Sequence, residues 1–356
     1  MPNVGKSTLF NALTKNKVSA ENYPFCTIDP SVGVVSVPDA RLEKLSVFSQ
    51  SKKTVPSACE FVDIAGLVRG AAEGEGLGNT FLSHIESVDM IVHVVRIFLD
   101  KNIVHVHNAI DPLKDIETIH LELILKDIEA LKKALIRIEK EVRAGTKGAL
   151  EEKKILEILL TGLEEERLAR DIVLSDDEKN LIIKHNLITM KPMLFALNKK
   201  AGGENLDETK DERWVALLKY FTDAGALFVI IDPQVENELN DIPEAEREIY
   251  RRELGAGEDG VMNLITKTYE RLGLITFFTT GEDETRGWPI VRGAPAPEAG
   301  RAIHSDFKEK FIRAEVIHCD ELLNAGSYAK AREKGLVRTE GKQYVVKNGD
   351  VIEFKI

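Results

Sequence analysis

Two periods of apolar residues alternate along the first third of the chain. Leu9-Phe10-Asn11-Ala12-Leu13 has helical spacing and follows Gly5-Lys6-Ser7-Thr8, while Ser31 to Val37 leans to valine at strand spacing. Pro38-Asp39 starts a helix over Ala40 to Phe48, and Cys59 to Asp63 is a second strand. Met90-Ile91-Val92-His93-Val94-Val95 is nearly continuous and β-branched, as a strand buried on both faces of a parallel sheet must be. Between these elements, Asn22 to Pro30 is bracketed by prolines and reads as an exposed loop. Gly70, Gly74, Gly76 and Gly78 crowd another. Strands alternating with helices predict a doubly wound α/β domain.

From Leu121 the spacing changes. Leu125, Ile128, Leu131, Leu135, Ile138 and Val142 make one stripe of a long helix, Ala144 to Gly148 is a turn, and Leu156, Leu159 and Leu163 make a second stripe. These predict an antiparallel helical hairpin. The α/β pattern resumes with a strand at Pro192 to Lys199, a helix at Trp214 to Phe221 and a strand at Ala226 to Ile231, so the hairpin is an insertion within one domain. From about Leu274 short apolar runs follow one another: Ile275 to Thr280, Phe311 to Ile317, Tyr344 to Lys347 and Val351 to Lys355. Asn348-Gly349 lies between the last two, and both residues tolerate positive φ, which predicts a β-hairpin in a small α+β module. The expected parts are therefore residues 1–110 with 188–273, a hairpin over 111–187, and a module over 274–356.

Composition places these parts in a globular protein. With 43% hydrophobic and 30% charged residues, and no apolar run long enough to span a bilayer, neither a membrane protein nor a disordered chain is expected. Cys26, Cys59 and Cys319 lack metal-ligand spacing and suit a reducing compartment, so the expected location is the cytoplasm. A net charge of −11 argues against electrostatic coating of nucleic acid. The charge is uneven, however: residues 274–356 carry 13 basic and 13 acidic side chains, so that part is the least repelled by RNA. The hairpin, with 14 basic and 17 acidic residues between Pro112 and Asn186, reads as solvated faces.

Candidate chemistry begins at the first residues. Asn3-Val4-Gly5-Lys6-Ser7-Thr8 is most of a phosphate-binding loop, in which backbone amides and a helix N-terminus face the anion. Lys6 suits the β- and γ-phosphates and Ser7 suits Mg²⁺. Counting back from Gly5, the first glycine of the motif and the strand feeding it would fall before Met1. Companion positions follow in the order used by GTPase-type hydrolases: Thr27, then Asp63-x-x-Gly66, then Asn198-Lys199. The hydroxyl of Thr27 can reach Mg²⁺, Asp63 at a strand end can hold Mg²⁺ through water, and the Gly66 amide can turn to the γ-phosphate.

With Asn22-Tyr23-Pro24-Phe25-Cys26-Thr27, Phe61-Val62-Asp63-Ile64-Ala65-Gly66-Leu67-Val68, Gly74-Glu75-Gly76-Leu77-Gly78-Asn79, Phe311 to Val316 and Val346 to Val351, the chain resembles the YchF family of Obg-like ATPases over nearly its whole length. The resemblance implies a phosphate-loop nucleotide domain, a coiled-coil insertion and a C-terminal TGS domain of β-grasp shape. It also implies Mg²⁺-dependent ATP hydrolysis and a ribosome partner, bound through the large subunit or the whole particle, with RNA contact. Lys6, Thr27 and Gly66 take the catalytic roles, and Ser7, Thr27 and Asp63 hold the metal. Asn3, Val4, Gly5, Lys6, Ser7 and Thr8 cradle the phosphates, while Asn198 and the backbone of Lys199 take adenine.

Three positions depart from ordinary GTPases. Asn198-Lys199-Lys200-Ala201 lacks the aspartate that accepts two hydrogen bonds from guanine, and Ala201 also departs from the family's N-x-x-E. Ile231-Asp232-Pro233 stands where a small turn completes the base pocket. Leu67 occupies the place of a water-orienting glutamine, which predicts slow hydrolysis helped by a partner or an ion. By resemblance to hydrolases with asparagine at its place, Asn3 is a candidate K⁺ holder. His93 and Arg96 read as a satisfied buried histidine and a strand-end salt bridge. GTP hydrolysis on the same scaffold is a second reading, and a nucleotide-free ribosome- or RNA-binding scaffold is a third. Loss of an inner strand would exceed the roughly 5–15 kcal/mol by which domains are stable, so a start upstream of Met1 is the expectation.

Overall fold

The β-branched run of the first third becomes the strand Ile91–Arg96. It pairs in parallel with Met193–Asn198, which pairs in parallel with Phe228–Ile231. These strands are seen in a computed structural model that describes residues 3–14, 31–64, 85–100, 110–209, 211–239, 242–254 and 260–356. The chain gathers into two units, Met1–Leu9 with Asp63–Gly257, and Phe10–Val62 with Glu258–Ile356. Among the described residues, no helix is long and apolar enough to cross a membrane.

In the first unit every residue of Met193–Asn198 is buried. Val95, Phe195 and Leu197 from the sheet meet Ile116, Ile119 and Leu123 of the helix Pro112–Arg143, and Leu217 and Phe221 of the helix Glu212–Asp223. The long helix starts earlier than its leucine stripe announces, where the Asp111 carboxylate caps the Lys114 amide ahead of Pro112. Its first half is the crossover between parallel strands, and its second half packs Leu131 and Ile138 on Leu156, Leu159 and Leu163 of the helix Ala149–Glu164. The buried face therefore runs through Ile124 and Asp127, and Leu125 points outward at 45% exposure, contrary to the stripe read from the sequence. The reason is that the helix serves two partners in turn, so its apolar face is not one straight stripe. Asp127 accepts from the amides of Ile188 (2.9 Å) and Thr189 (2.7 Å) and from the Thr189 hydroxyl (2.6 Å). That carboxylate ties the returning chain to the helix.

One expectation for the strand Ile91–Arg96, the satisfied histidine, is overturned. His93 is buried but not satisfied, because among the described residues its Nδ1 has no hydrogen-bond partner, and neither has Nε2 of the buried His120. Both rings lie among Phe195 and Tyr220, with His93 and His120 centroids 6.3 Å apart. Arg96, fully buried, donates to the carbonyls of Phe98 (3.0 Å) and Asp100 (3.2 Å) and stacks on the Phe98 ring. Its charge holds the backbone beyond the strand.

The second unit is built on a six-stranded sheet in the order Arg338–Glu340, Arg313–His318, Asp350–Lys355, Leu274–Thr280, Glu284–Val291 and Lys53–Val55. Its first five strands form the mixed β-grasp arrangement, with Asp350–Lys355 beside Leu274–Thr280 in parallel. Successive residues of a strand point to opposite faces. Phe277, Val316 and Ile352 accordingly join one cluster with the helix Ala296–Ile303, and Phe278, Ile317 and Val351 another. The second cluster is completed by Leu42 and Leu45 of the helix Ala40–Ser49. The Arg41 guanidinium stacks over Phe278 and donates to Asn348 (3.0 Å). A separate antiparallel pair, Val32–Ser36 with Ala58–Val62, belongs to the same unit. Cys59 and Cys319 are buried free thiols, and burial pushes the Cys59 thiol up to about 12.

The hairpin expected at Asn348-Gly349 does not form. Gly349 has φ +92, as a turn there requires, but Tyr344 to Lys347 is not a strand: it bridges Val345 to Pro295, the Tyr344 carbonyl accepts from the Ala296 amide (2.8 Å), and the Val346 amide donates to Ala294 O (3.1 Å). The turn is tied sideways, since the Gly349 amide donates to Thr276 O (2.8 Å) and Asn348 accepts from the Thr276 amide (3.3 Å).

Burial keeps the histidine pair neutral. Burial first, then the charges of His120 and Lys6, pushes His93 well below its ordinary value, and burial pushes His120 down to about 4. An unfolded chain binds protons that the native pair refuses, so this contribution to stability is intact above about pH 6.5 and fades as pH falls toward 4. His120→Phe should remove about 3 kcal/mol of acid-induced destabilisation over that window. The check is denaturant unfolding followed by circular dichroism from pH 7.5 to 4.5. A pH slope identical to the parent's would show that His120 does not titrate with folding.

Candidate functional site

The centre of the site is Asn198, the last residue of a strand whose every side chain is buried. Its Nδ2 donates to Val4 O at 2.8 Å. That bond joins the end of a parallel strand to the phosphate loop, at the strand edge where open α/β sheets take their ligands. Gly5 is required here twice: it sits at φ +92, and a Cβ would collide with the Asn198 amide. Its carbonyl accepts from the Leu9 amide (2.9 Å), closing the first turn of the helix Lys6–Thr14. Asn3 is left-handed at φ +57, a conformation asparagine tolerates. The loop thus leads its residues 4 to 8 into a helix N-terminus, where amides lack intrahelical partners.

Ser7 donates its hydroxyl to Asp63 Oδ2 at 3.1 Å. Two hard oxygen atoms therefore lie side by side, the donor type that Mg²⁺ takes. Burial pushes the Lys6 ammonium down from its ordinary value, opposed by the charge of Asp63. A partly desolvated cation beside open amides is what a phosphate would neutralise. Ser7 and Thr8 are exposed, and Val4 is buried. Thr27, Gly66, Leu67 and the glycine cluster from Gly70 to Gly78 lie outside the described residues.

The stretch expected to read the base, from Asn198 to Ala201, is held by several hydrogen bonds and ion pairs. The Lys199 amide donates to Ile231 O (2.9 Å), extending the parallel pairing, so what its backbone can offer a ligand is the carbonyl. The Lys199 ammonium pairs with Glu208 (3.0 Å), and that of Lys200 with Asp100 (2.7 Å). Asn205 accepts from the Lys200 amide (2.9 Å) and donates back to the Lys200 carbonyl (2.9 Å). The Ala201 amide donates to Asp232 Oδ2, while Oδ1 of the same carboxylate accepts from the Gln234 (3.0 Å) and Val235 (3.1 Å) amides. Sequence reasoning passed over Asn205, for which residue type gives no signal. It also missed the capping use of Asp232, although Asp-Pro at a helix start is a readable sign.

A family model described as "50S ribosome-binding GTPase" matches residues 1–140, and the YchF GTPase C-terminal model, described as a protein of unknown function, matches residues 274–356. The ribosome-binding ATPase YchF of Bacillus subtilis is 46% identical over 355 residues, covering 100% of this chain and 97% of the relative. The chain belongs to the YchF family. A second YchF, the ribosome-binding ATPase of Haemophilus ducreyi, is 42% identical over 356 residues with the same coverage. The solved structure of the Schizosaccharomyces pombe YchF GTPase superposes with a TM-score of 0.85 at 35% identity, covering 100% of this chain and 96% of the other. The α/β fold, with its phosphate-loop domain and C-terminal domain, is that of this YchF structure. The names disagree about the nucleotide, ATPase for the bacterial relatives and GTPase for the yeast one.

If the Asn198 amide holds the loop, Asn198→Ala leaves the Val4 carbonyl without it. Nucleotide affinity, read by calorimetric titration, should then fall about 10- to 100-fold, the equivalent of roughly 1–3 kcal/mol, with helical content unchanged. A loss below about threefold would show that the loop keeps its shape unaided.

Proposed function

We propose that this protein is a Mg²⁺-dependent ATP hydrolase that acts as a nucleotide switch on the ribosome. The observation that carries the reading is the Asn198 bond to Val4 beside the Ser7–Asp63 pair, in a chain of the YchF family. Amides of the loop from Val4 to Thr8 hold phosphate oxygens at the helix N-terminus, and Lys6 balances the charge of the β- and γ-phosphates. Ser7 and Asp63, with Thr27, are the residues that would hold Mg²⁺, which when bound supplies positive charge to the phosphate oxygens. The Gly66 amide turns toward the γ-phosphate. Leu67 cannot orient water, so intrinsic hydrolysis is slow, and Asn3 is the residue that would hold K⁺, which when bound would supply an auxiliary charge.

ATP is preferred because Ala201 offers guanine no acceptor. The bacterial relatives are named ATPases and ribosome-binding, and both properties are carried over to this chain here. The nucleotide domain of residues 1–110 and 188–273, the hairpin of 111–187 and the TGS domain of 274–356 divide the work. The first binds and hydrolyses, and the other two meet the ribosome in the cytoplasm. ATP orders Thr27 and the Gly66 to Gly78 loop, and hydrolysis releases them. A GTP hydrolase on the same scaffold is the second reading, favoured by the name of the yeast relative.

Parallel titrations with ATP and GTP should give at least tenfold tighter binding of ATP, and Lys6→Ala should weaken both by 100-fold or more. Equal affinities would favour the GTP reading, and unchanged binding by Lys6→Ala would refute the site. Asp63→Ala should abolish the Mg²⁺ dependence of hydrolysis. Hydrolysis should also run faster in K⁺ than in Na⁺ buffer, and equal rates would remove Asn3 from this role. Co-sedimentation with ribosomes should differ between a non-hydrolysable ATP analogue and ADP, and identical sedimentation would argue against a switch.

A further inference from the structure

Gly33 lies inside the strand Val32–Ser36, where a glycine has neither a turn to make nor a positive φ to adopt. What it makes room for is the helix that leaves the phosphate loop. A Cβ on Gly33 would lie 2.1 Å from Cγ2 and 3.3 Å from Cβ of Thr14, and 3.5 Å from a ring carbon of Phe10. Thr14 is 8% exposed and its hydroxyl turns back to Asn11 O (3.4 Å), so this short branched side chain has little room to swing aside. The contact belongs to a closed path. Gly33 pairs with Phe61, and Val32 with Val62, in the antiparallel ribbon made with Ala58–Val62. Asp63 is the next residue, and its Oδ2 accepts from the Ser7 hydroxyl (3.1 Å). Ser7 and Thr14 stand in the first and last turns of one helix, Lys6–Thr14.

We propose that Gly33 is a positioning residue for the Ser7–Asp63 pair: by letting the strand Val32–Ser36 lie directly on the helix Lys6–Thr14, it sets where the Asp63 carboxylate stands against the Ser7 hydroxyl. Carbon atoms in contact settle at about 3.5–4.0 Å, so a Cβ at Gly33 parts the strand from the helix by more than about 1 Å. Misplacement on that scale in a site costs up to about 100-fold. Its effect is selective. Mg²⁺ demands near-ideal octahedral oxygen geometry, whereas the loop amides and Lys6 hold phosphate without Asp63. Moving the ribbon therefore weakens the metal's share of nucleotide binding and leaves the phosphate's share in place. This rests on the nucleotide reading above.

The test is a double-mutant cycle on the full chain, read by calorimetric titration with a non-hydrolysable ATP analogue in Mg²⁺ and in EDTA. The proteins are the parent, Gly33→Ala, Thr14→Ser and the double variant, with Lys6→Ala as control. Thr14→Ser removes the methyl that a Cβ at Gly33 would strike and keeps the hydroxyl. The parent should bind at least tenfold tighter in Mg²⁺ than in EDTA. Gly33→Ala should cut that gain by fivefold or more while its affinity in EDTA stays within twofold of the parent's. Thr14→Ser should match the parent, and the double variant should recover most of the gain. A residue that serves only stability would lower both affinities together and leave the gain alone. If Gly33→Ala fails to fold, Thr14→Ala takes its place: it removes the contact from the helix side and should cut the gain about threefold, and an unchanged gain would overturn the proposal. The proposal also falls if Gly33→Ala keeps the parent's gain, or loses it equally with and without Thr14→Ser. A parent that gains nothing from Mg²⁺, or full binding by Lys6→Ala, would instead overturn the nucleotide reading, and this proposal with it.

Discussion

One hydrogen bond, from the Asn198 amide to the Val4 carbonyl, fixes where the phosphate loop lies. It works because Asn198 cannot move. The strand it ends is buried throughout and paired on both sides, Asn198 O accepts from the Ile97 amide, and the next amide, of Lys199, is held by Ile231. Rigidity therefore passes from a parallel sheet core to a loop of small residues that has none of its own. Gly5 is the other half of the contact, since a Cβ at that place would push the amide away.

The same device recurs around the sheet edge. Segments beyond the strands are held by buried or half-buried polar side chains that reach backbone groups, in addition to the packing of Ile97, Ile188 and Leu206. Arg96 holds the carbonyls of Phe98 and Asp100, and Lys191 those of Glu86 and Val88. Asp127 gathers two amides, Asn205 brackets Lys200, and Asp232 gathers three amides. A buried charge without partners would be destabilising, so each side chain and its loop specify one another. A binding site built this way has its backbone donors and acceptors fixed before any ligand arrives.

How much of this could be read from residues alone depends on the range of the interaction. The strand Ile91–Arg96 and the helix Ala40–Ser49 follow from local period and capping, and the order of Lys6, Asp63 and Asn198 announces a nucleotide site. Which atoms meet does not follow, because the Asn198–Val4 and Ala201–Asp232 contacts join residues remote in sequence. Leu125 was misread because periodicity assumes one partner, whereas the helix Pro112–Arg143 leaves the sheet for a second helix midway. Tyr344 to Lys347 has strand composition, but its backbone bonds reach Ala294, Ala296 and the Asp350 carboxylate, with a bridge at Pro295, and not a neighbouring strand. His93 and His120 are ordinary histidines until burial among rings decides their charge.

The β-grasp sheet shows how a boundary drawn from sequence similarity can cut through a core. The family match begins at residue 274, as the change of pattern in the sequence does. Yet Phe278, Ile317 and Val351 turn one face of that sheet toward Leu42 and Leu45, and the strand Lys53–Val55 extends its edge beside Glu284–Val291. The Lys52 amide and the Ser51 hydroxyl reach the carbonyls of Glu282 and Gly281, and Arg41 reaches Asn348. Burying side chains the size of phenylalanine and leucine is worth about 1.5–3 kcal/mol each, a large share of what stabilises a module this small. The segment that follows Thr27 in sequence is thus a structural part of the C-terminal unit, and its hydrophobic face is a constraint on both ends of the chain at once.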